Sequence, residues 1–101
     1  MPLETVYVNR DNTIDLALYE NNVLINHTTI TRVQVLIGSR TLDSYTNPNY
    51  FDMTSASKLK LKLGGASLTD GQYKAQLVIY DAVNYNGIVW GELTITVRNG
   101  L

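Results

Sequence analysis

Leu68-Thr69-Asp70-Gly71-Gln72-Tyr73-Lys74-Ala75-Gln76-Leu77-Val78-Ile79 is the stretch on which the fold turns. From Tyr73 onward Tyr73, Ala75, Leu77 and Ile79 share one parity, while Lys74 and Gln76 take the other, as in a half-buried strand. Asp70-Gly71 suits a tight turn just before it. A tyrosine opening a strand after such a turn sets its ring on the core and leaves its hydroxyl to bond backbone upstream. Leu68, Asp70, Gly71 and Tyr73 therefore match a tyrosine corner, a feature of two-layered β-sandwiches at the penultimate strand. A plain β-turn followed by a core tyrosine is the simpler alternative.

The same period of two runs outward in both directions. Ile14, Leu16 and Leu18 share a face, as do Val33, Val35 and Ile37, then Leu59, Leu61 and Leu63, and finally Leu93, Ile95 and Val97. Lys58, Lys60 and Lys62 fall opposite the leucines, a row expected to keep a strand edge from pairing with another molecule. Ile88 and Trp90 have the parity opposite to Leu93, Ile95 and Val97. One strand holds both groups inward only if an extra residue is inserted, and Gly91 suits that bulge. Val, Ile and Thr supply 9, 7 and 11 residues, and their branched Cβ atoms favour pleated structure over helix. Turn signals stand at Glu20-Asn21-Asn22, Gly38-Ser39, Thr46-Asn47-Pro48-Asn49, Gly64-Gly65 and Asn84-Tyr85-Asn86-Gly87, and the spacing of about ten residues per strand is too short for crossover helices. The expectation is an all-β chain: one antiparallel sandwich domain over residues 1–101, of seven to eight strands, with a single helical turn at 66–70.

Composition removes several functions. The chain has no cysteine and one histidine, so a disulfide, a thiolate site, a cysteine nucleophile and a multi-histidine metal site are all excluded. A formal net charge of −1 argues against nucleic acid and against anionic membrane surfaces as partners. No run of about 18 apolar residues is present to span a bilayer, and no signal peptide is visible at Met1-Pro2-Leu3. The sequon Asn26-His27-Thr28 is then expected to stay unmodified.

The corner leads into Leu77-Val78-Ile79-Tyr80-Asp81-Ala82, then Asn86-Gly87-Ile88-Val89-Trp90-Gly91-Glu92 and a last alternating strand. With these motifs the chain resembles small immunoglobulin-like domains of tailed-bacteriophage virion proteins, and is similar to the N-terminal domain of phage baseplate upper proteins. The resemblance spans residues 12–97. It lacks the cysteine pair of antibody-type domains and a tryptophan in 32–37. It implies an immunoglobulin-like sandwich and a non-catalytic structural or docking role in a capsid, neck, tail or baseplate. The chain would be made in the host cytoplasm and bind other virion proteins or itself, with no cofactor.

Candidate sites follow from the same parity. Leu36, Val78, Tyr80 and Val89 point away from the core and are expected to form an apolar interface. Val83 and Tyr85, in a polar loop closed by Asn86-Gly87, offer a second contact surface. The competing expectation is that the four are scattered or covered by residues 41–52. His27, among Asn26, Thr28 and Thr29, is expected in an exposed loop and not in catalysis, since no nucleophile pattern surrounds any serine. Asp11, Asp15, Asp43, Asp52, Asp70 and Asp81 are too scattered for a calcium loop; Asp70 and Asp81 read as turn residues bonding local backbone. Tyr45, Tyr50, Phe51, Tyr80, Tyr85 and Trp90 carry the alternative function, a carbohydrate-binding accessory domain for cell-surface adhesion, with Tyr50 and Tyr85 its testable rings and Trp90 expected in the core.

Overall fold

Residues 3–98 are described by the computed structural model; residues 1–2 and 99–101 of the expected domain lie outside them. Ten strands form: β1 (Leu3–Tyr7), β2 (Ile14–Leu16), β3 (Tyr19–Glu20), β4 (Val23–Leu24), β5 (Arg32–Ile37), β6 (Arg40–Asp43), β7 (Phe51–Asp52), β8 (Leu59–Leu61), β9 (Gly71–Tyr80) and β10 (Ile88–Arg98). A five-stranded sheet has the order β1-β10-β9-β5-β6, and a three-stranded sheet the order β2-β8-β7. The two make a small β-sandwich of eight strands. Strands β3 and β4 form a separate hairpin, closed through Asn21 and Asn22, both with positive φ, the geometry of a tight two-residue turn.

The inward parities hold. Val33, Val35, Ile37, Ala75, Leu77, Ile79, Leu93, Ile95 and Val97 of the larger sheet are buried together with Ile14, Leu16, Leu59, Leu61 and Phe51 of the smaller. Each of the larger of these side chains contributes about 1.5–3 kcal/mol by leaving water. The bulge is where the parity switch requires it: the β9–β10 register slips between Val89 and Gly91. Against the expectation that both point into the core, Trp90 is only half-buried and Ile88 is exposed, because the start of β10 borders an open groove.

Three features depart from the sequence reading. β8 pairs with both β2 and β7, so the lysines flank or lie on a middle strand and guard no edge; Lys60 sits across from Asp15 and Asp52. The helical turn falls at Gly64–Ala66, ahead of 66–70, with further 3-10 turns at His27–Thr29 and Pro48–Tyr50. A Cβ at Gly64 would lie 2.0 Å from Arg10 O, so that glycine permits a backbone crossing. Finally, β1 joins the larger sheet by pairing parallel to β10, and β6 closes its other edge.

Candidate docking surface

The outer face of the five-stranded sheet is not the apolar patch expected of Leu36, Val78, Tyr80 and Val89. Parity does place all four on that face, but only Val89 is exposed, at 57%; the other three are half-buried. Residues 41–52 supply part of the cover: Thr41 lies across from Leu36, and Asp43 and Tyr45 engage Gln34 and Arg32 beside Tyr80. Gly87, with φ +83°, folds over β9 so closely that a Cβ there would lie 2.8 Å from the Tyr80 ring and 2.9 Å from Val78 Cγ1. No side chain larger than hydrogen fits that approach.

Beside Tyr80 the face is polar and cross-linked. The Tyr80 hydroxyl donates to Gln34 Oε1 at 2.7 Å, and Gln34 Nε2 donates to Asp43 Oδ2 at 3.0 Å. Arg32 Nε donates to Asp43 Oδ1 at 3.0 Å, and its Nη2 donates to Asp43 Oδ2. The Tyr45 amide adds a bond at 3.0 Å to Asp43 Oδ1. The Arg32 guanidinium lies 4.5 Å from the centre of the Tyr45 ring and 5.0 Å from that of Tyr80, within cation–π range of both. Hydrogen bonds from Arg32 hold the Asp43 carboxyl well below the usual carboxylate range, against the opposing pull of burial. This network occupies the part of the sheet where an apolar interface was expected.

Exposed apolar surface gathers instead at one end. Tyr19, Val23 and Leu24 on the β3–β4 hairpin, Val83 and Tyr85 in the loop before β10, and Ile88 and Val89 at its start are seven of the nine exposed large apolar residues among those described. Val83 and Tyr85 are the most open of all, at 82% and 77%. The loop that presents them is tied by Asp81, whose carboxylate accepts from the Val83 amide at 2.9 Å and the Asn84 amide at 2.7 Å. The Asn84 amide bond is the main cause holding Asp81 below its ordinary range. Between hairpin and loop an open groove of about 610 Å³ is lined by Tyr19, Asn21, Val83, Asn84, Val89 and Trp90 among others. Periodicity missed the hairpin, because its strands have two residues each; the Asn21-Asn22 turn was its one signal.

The remaining candidates separate. Tyr73 Oη donates to Thr69 O at 2.7 Å, with Leu68 buried beneath and Gly71 opening β9. The Asp81 carboxylate bonds local backbone as a turn residue should, while Asp70 shows no such bond. His27 is not in an exposed loop: it is fully buried. Nε2 accepts the Leu18 amide at 3.0 Å, which leaves the proton on Nδ1 to donate to Ala56 O at 2.9 Å. Asn26 of the sequon caps the 3-10 turn, its Oδ1 accepting from the Thr28 amide and hydroxyl. Tyr50, partly buried against the core, donates to Gly65 O, and Phe51 is core. Among the described residues no group of three His, Asp or Glu side chains converges as a metal site would, and no helix is long and apolar enough to cross a membrane.

No protein-family model matches the chain, nor does any curated protein. Among solved structures it is similar to part of the SGBP-B protein of the Bacteroides ovatus mixed-linkage glucan utilization locus, solved with a mixed-linkage heptasaccharide. That match has a TM-score of 0.47 and 18% identity, over 97% of this chain and 21% of the other. It is also similar to part of the endo-beta-1,4-mannanase from Thermotoga petrophila, with a TM-score of 0.48 and 13% identity over 97% of this chain and 18% of that one. The chain spans about a fifth of the length of each.

Proposed function

We propose that the protein is a non-catalytic docking module acting through protein–protein contacts, an immunoglobulin-like sandwich that serves as a capsid, neck, tail or baseplate component of a phage virion. The observation that carries the docking role is the concentration of exposed apolar side chains at one end, around Tyr19, Val83, Tyr85 and Val89. A patch of that kind on a small domain marks a contact surface. The immunoglobulin-like assignment is supported by the strand order, β10-β9-β5 opposed by β2-β8-β7, and by the Tyr73–Thr69 bond. The virion setting is supported by the sequence resemblance alone.

Light scattering over a concentration series tests the reading with the double variant Val83→Lys, Tyr85→Lys. The wild type is expected at a multiple of 11.3 kDa, the variant at the single-chain mass, with an unchanged far-UV circular dichroism spectrum because both positions lie outside the core.

A second reading, a carbohydrate-binding accessory domain, is favoured by the rings of Tyr19 and Trp90 standing with Asn21 and Asn84 around one groove. A wild type that stays monomeric and binds a glycan array, with binding lost in Tyr19→Ala, would put this reading first.

A further inference from the structure

The larger sheet is left open along part of β10. β1 pairs with it only from Leu3↔Thr94 to Tyr7↔Arg98, so among the described residues no strand pairs with its outer edge over 88–93. An exposed edge of this kind presents backbone N–H and C=O groups ready to bond another strand. Beside it runs a cleft. Its narrower part, about 250 Å³ and mainly apolar, lies among Leu16, Leu18, Leu77, Trp90 and Leu93. Trp90 also lines the 610 Å³ groove next to Tyr19, Ile88 and Val89. At Gly91 a side chain would meet nothing within 4 Å. Among the described residues, the only charged side chains lining either part are Glu20 and Glu92.

We propose that this edge accepts an extended segment of a partner protein as an added strand. The inference rests on the docking reading and gives the partner its form. Main-chain bonds to 88–93 supply the attachment, and the period of two sends every second side chain of the segment into the cleft. Six residues of strand span about 20 Å, which sets the segment at about six residues, apolar at alternate positions. Glu20 and Glu92, with no basic side chain beside them in the lining, select a lysine or arginine on the segment. Four leucines line the narrow part with one ring, Trp90; that suits aliphatic side chains better than the flat face of a sugar.

The probe is a panel of seven-residue peptides with valine, leucine or isoleucine at alternate positions, threonine between them and lysine at both ends. Trp90, the only tryptophan, reports binding through its emission, and hydrogen exchange reads the amides of 88–93. The expected result is binding by at least one peptide at concentrations up to about 1 mM, at least tenfold slower exchange within 88–93, and at least tenfold weaker binding in the double variant Glu20→Lys, Glu92→Lys. Failure of the whole panel to bind overturns the proposal. So does binding without protection of 88–93, or an oligosaccharide that shifts Trp90 emission where no peptide does. If the wild type assembles, Val83→Lys with Tyr85→Lys disperses it, and the 88–93 amides exchange as fast in the assembly as in the monomer, the strand proposal falls while the docking reading stands.

Discussion

His27 shows what one side chain does when its neighbours conceal it. Asn26, Thr28 and Thr29 are exposed, so the local sequence reads as a polar loop, yet the imidazole is sealed inside. There it bridges Leu18, nine residues away, to Ala56, twenty-nine away. Ala56 O also accepts the His27 amide at 3.0 Å, so one carbonyl serves both ends of the residue. Replacement by alanine removes two side-chain bonds, leaves the Leu18 amide unsatisfied and opens a cavity. His27→Ala is expected to lose about 3 kcal/mol in urea unfolding; a loss under about 1 kcal/mol would contradict the bridging role. Nothing in a single sequence announces such a bridge, because partners this distant leave no spacing to read. Tyr73 is the opposite case: its acceptor, Thr69, is four residues upstream, and the Asp70-Gly71 turn that brings them together is written beside it.

Among the elements, legibility tracks length. β5, β9 and β10 have six, ten and eleven residues, enough alternation to show their inward faces, and the switch of parity around Gly91 marks the bulge in the sequence itself. β3, β4 and β7 have two residues each, and no pattern can be counted in two. β6 was missed for another reason: its work is polar. Asp43 at its end is buried and tied to Arg32 and Gln34 of β5, a cross-strand link that apolar periodicity does not register. Because Asp43 is held below its unfolded value of about 3.9, its contribution is complete above that value and is lost as pH falls through the folded one. Asp43→Asn is therefore expected to cost about 2 kcal/mol at pH 7, with the gap to wild type steady down to about pH 5 and closing below about pH 4. Urea midpoints across that range check it, and a gap that stays constant into acid would assign the loss to shape instead of charge. Val78 and Tyr80, pinned under Gly87, belong to this packed layer.

At the level of the whole molecule, two sheets around one core follow from composition and period, but the order in which strands lie side by side does not. Alternation assigns a face to each strand and is silent about its neighbour; pairing is decided by which apolar rows fill the same space. The docking end illustrates the gap, since hairpin and loop are some sixty residues apart in the chain, numbered 19–24 and 83–89, and only the fold sets them together. The parallel pairing of β1 with β10, Leu3 beside Thr94 and Tyr7 beside Arg98, was equally hidden, and it has a mechanical meaning. Tension drawn between Leu3 and Arg98 slides the two strands lengthwise, so every rung of that ladder bears load at once. Tension between Tyr80 and Ile88 instead peels β9 from β10 rung by rung. Single-molecule stretching from the first pair of handles is expected to give one abrupt rupture at markedly higher force than from the second; equal forces would show that the ladder carries no load. A body built this way yields reluctantly to being pulled lengthwise, whatever hangs from its ends.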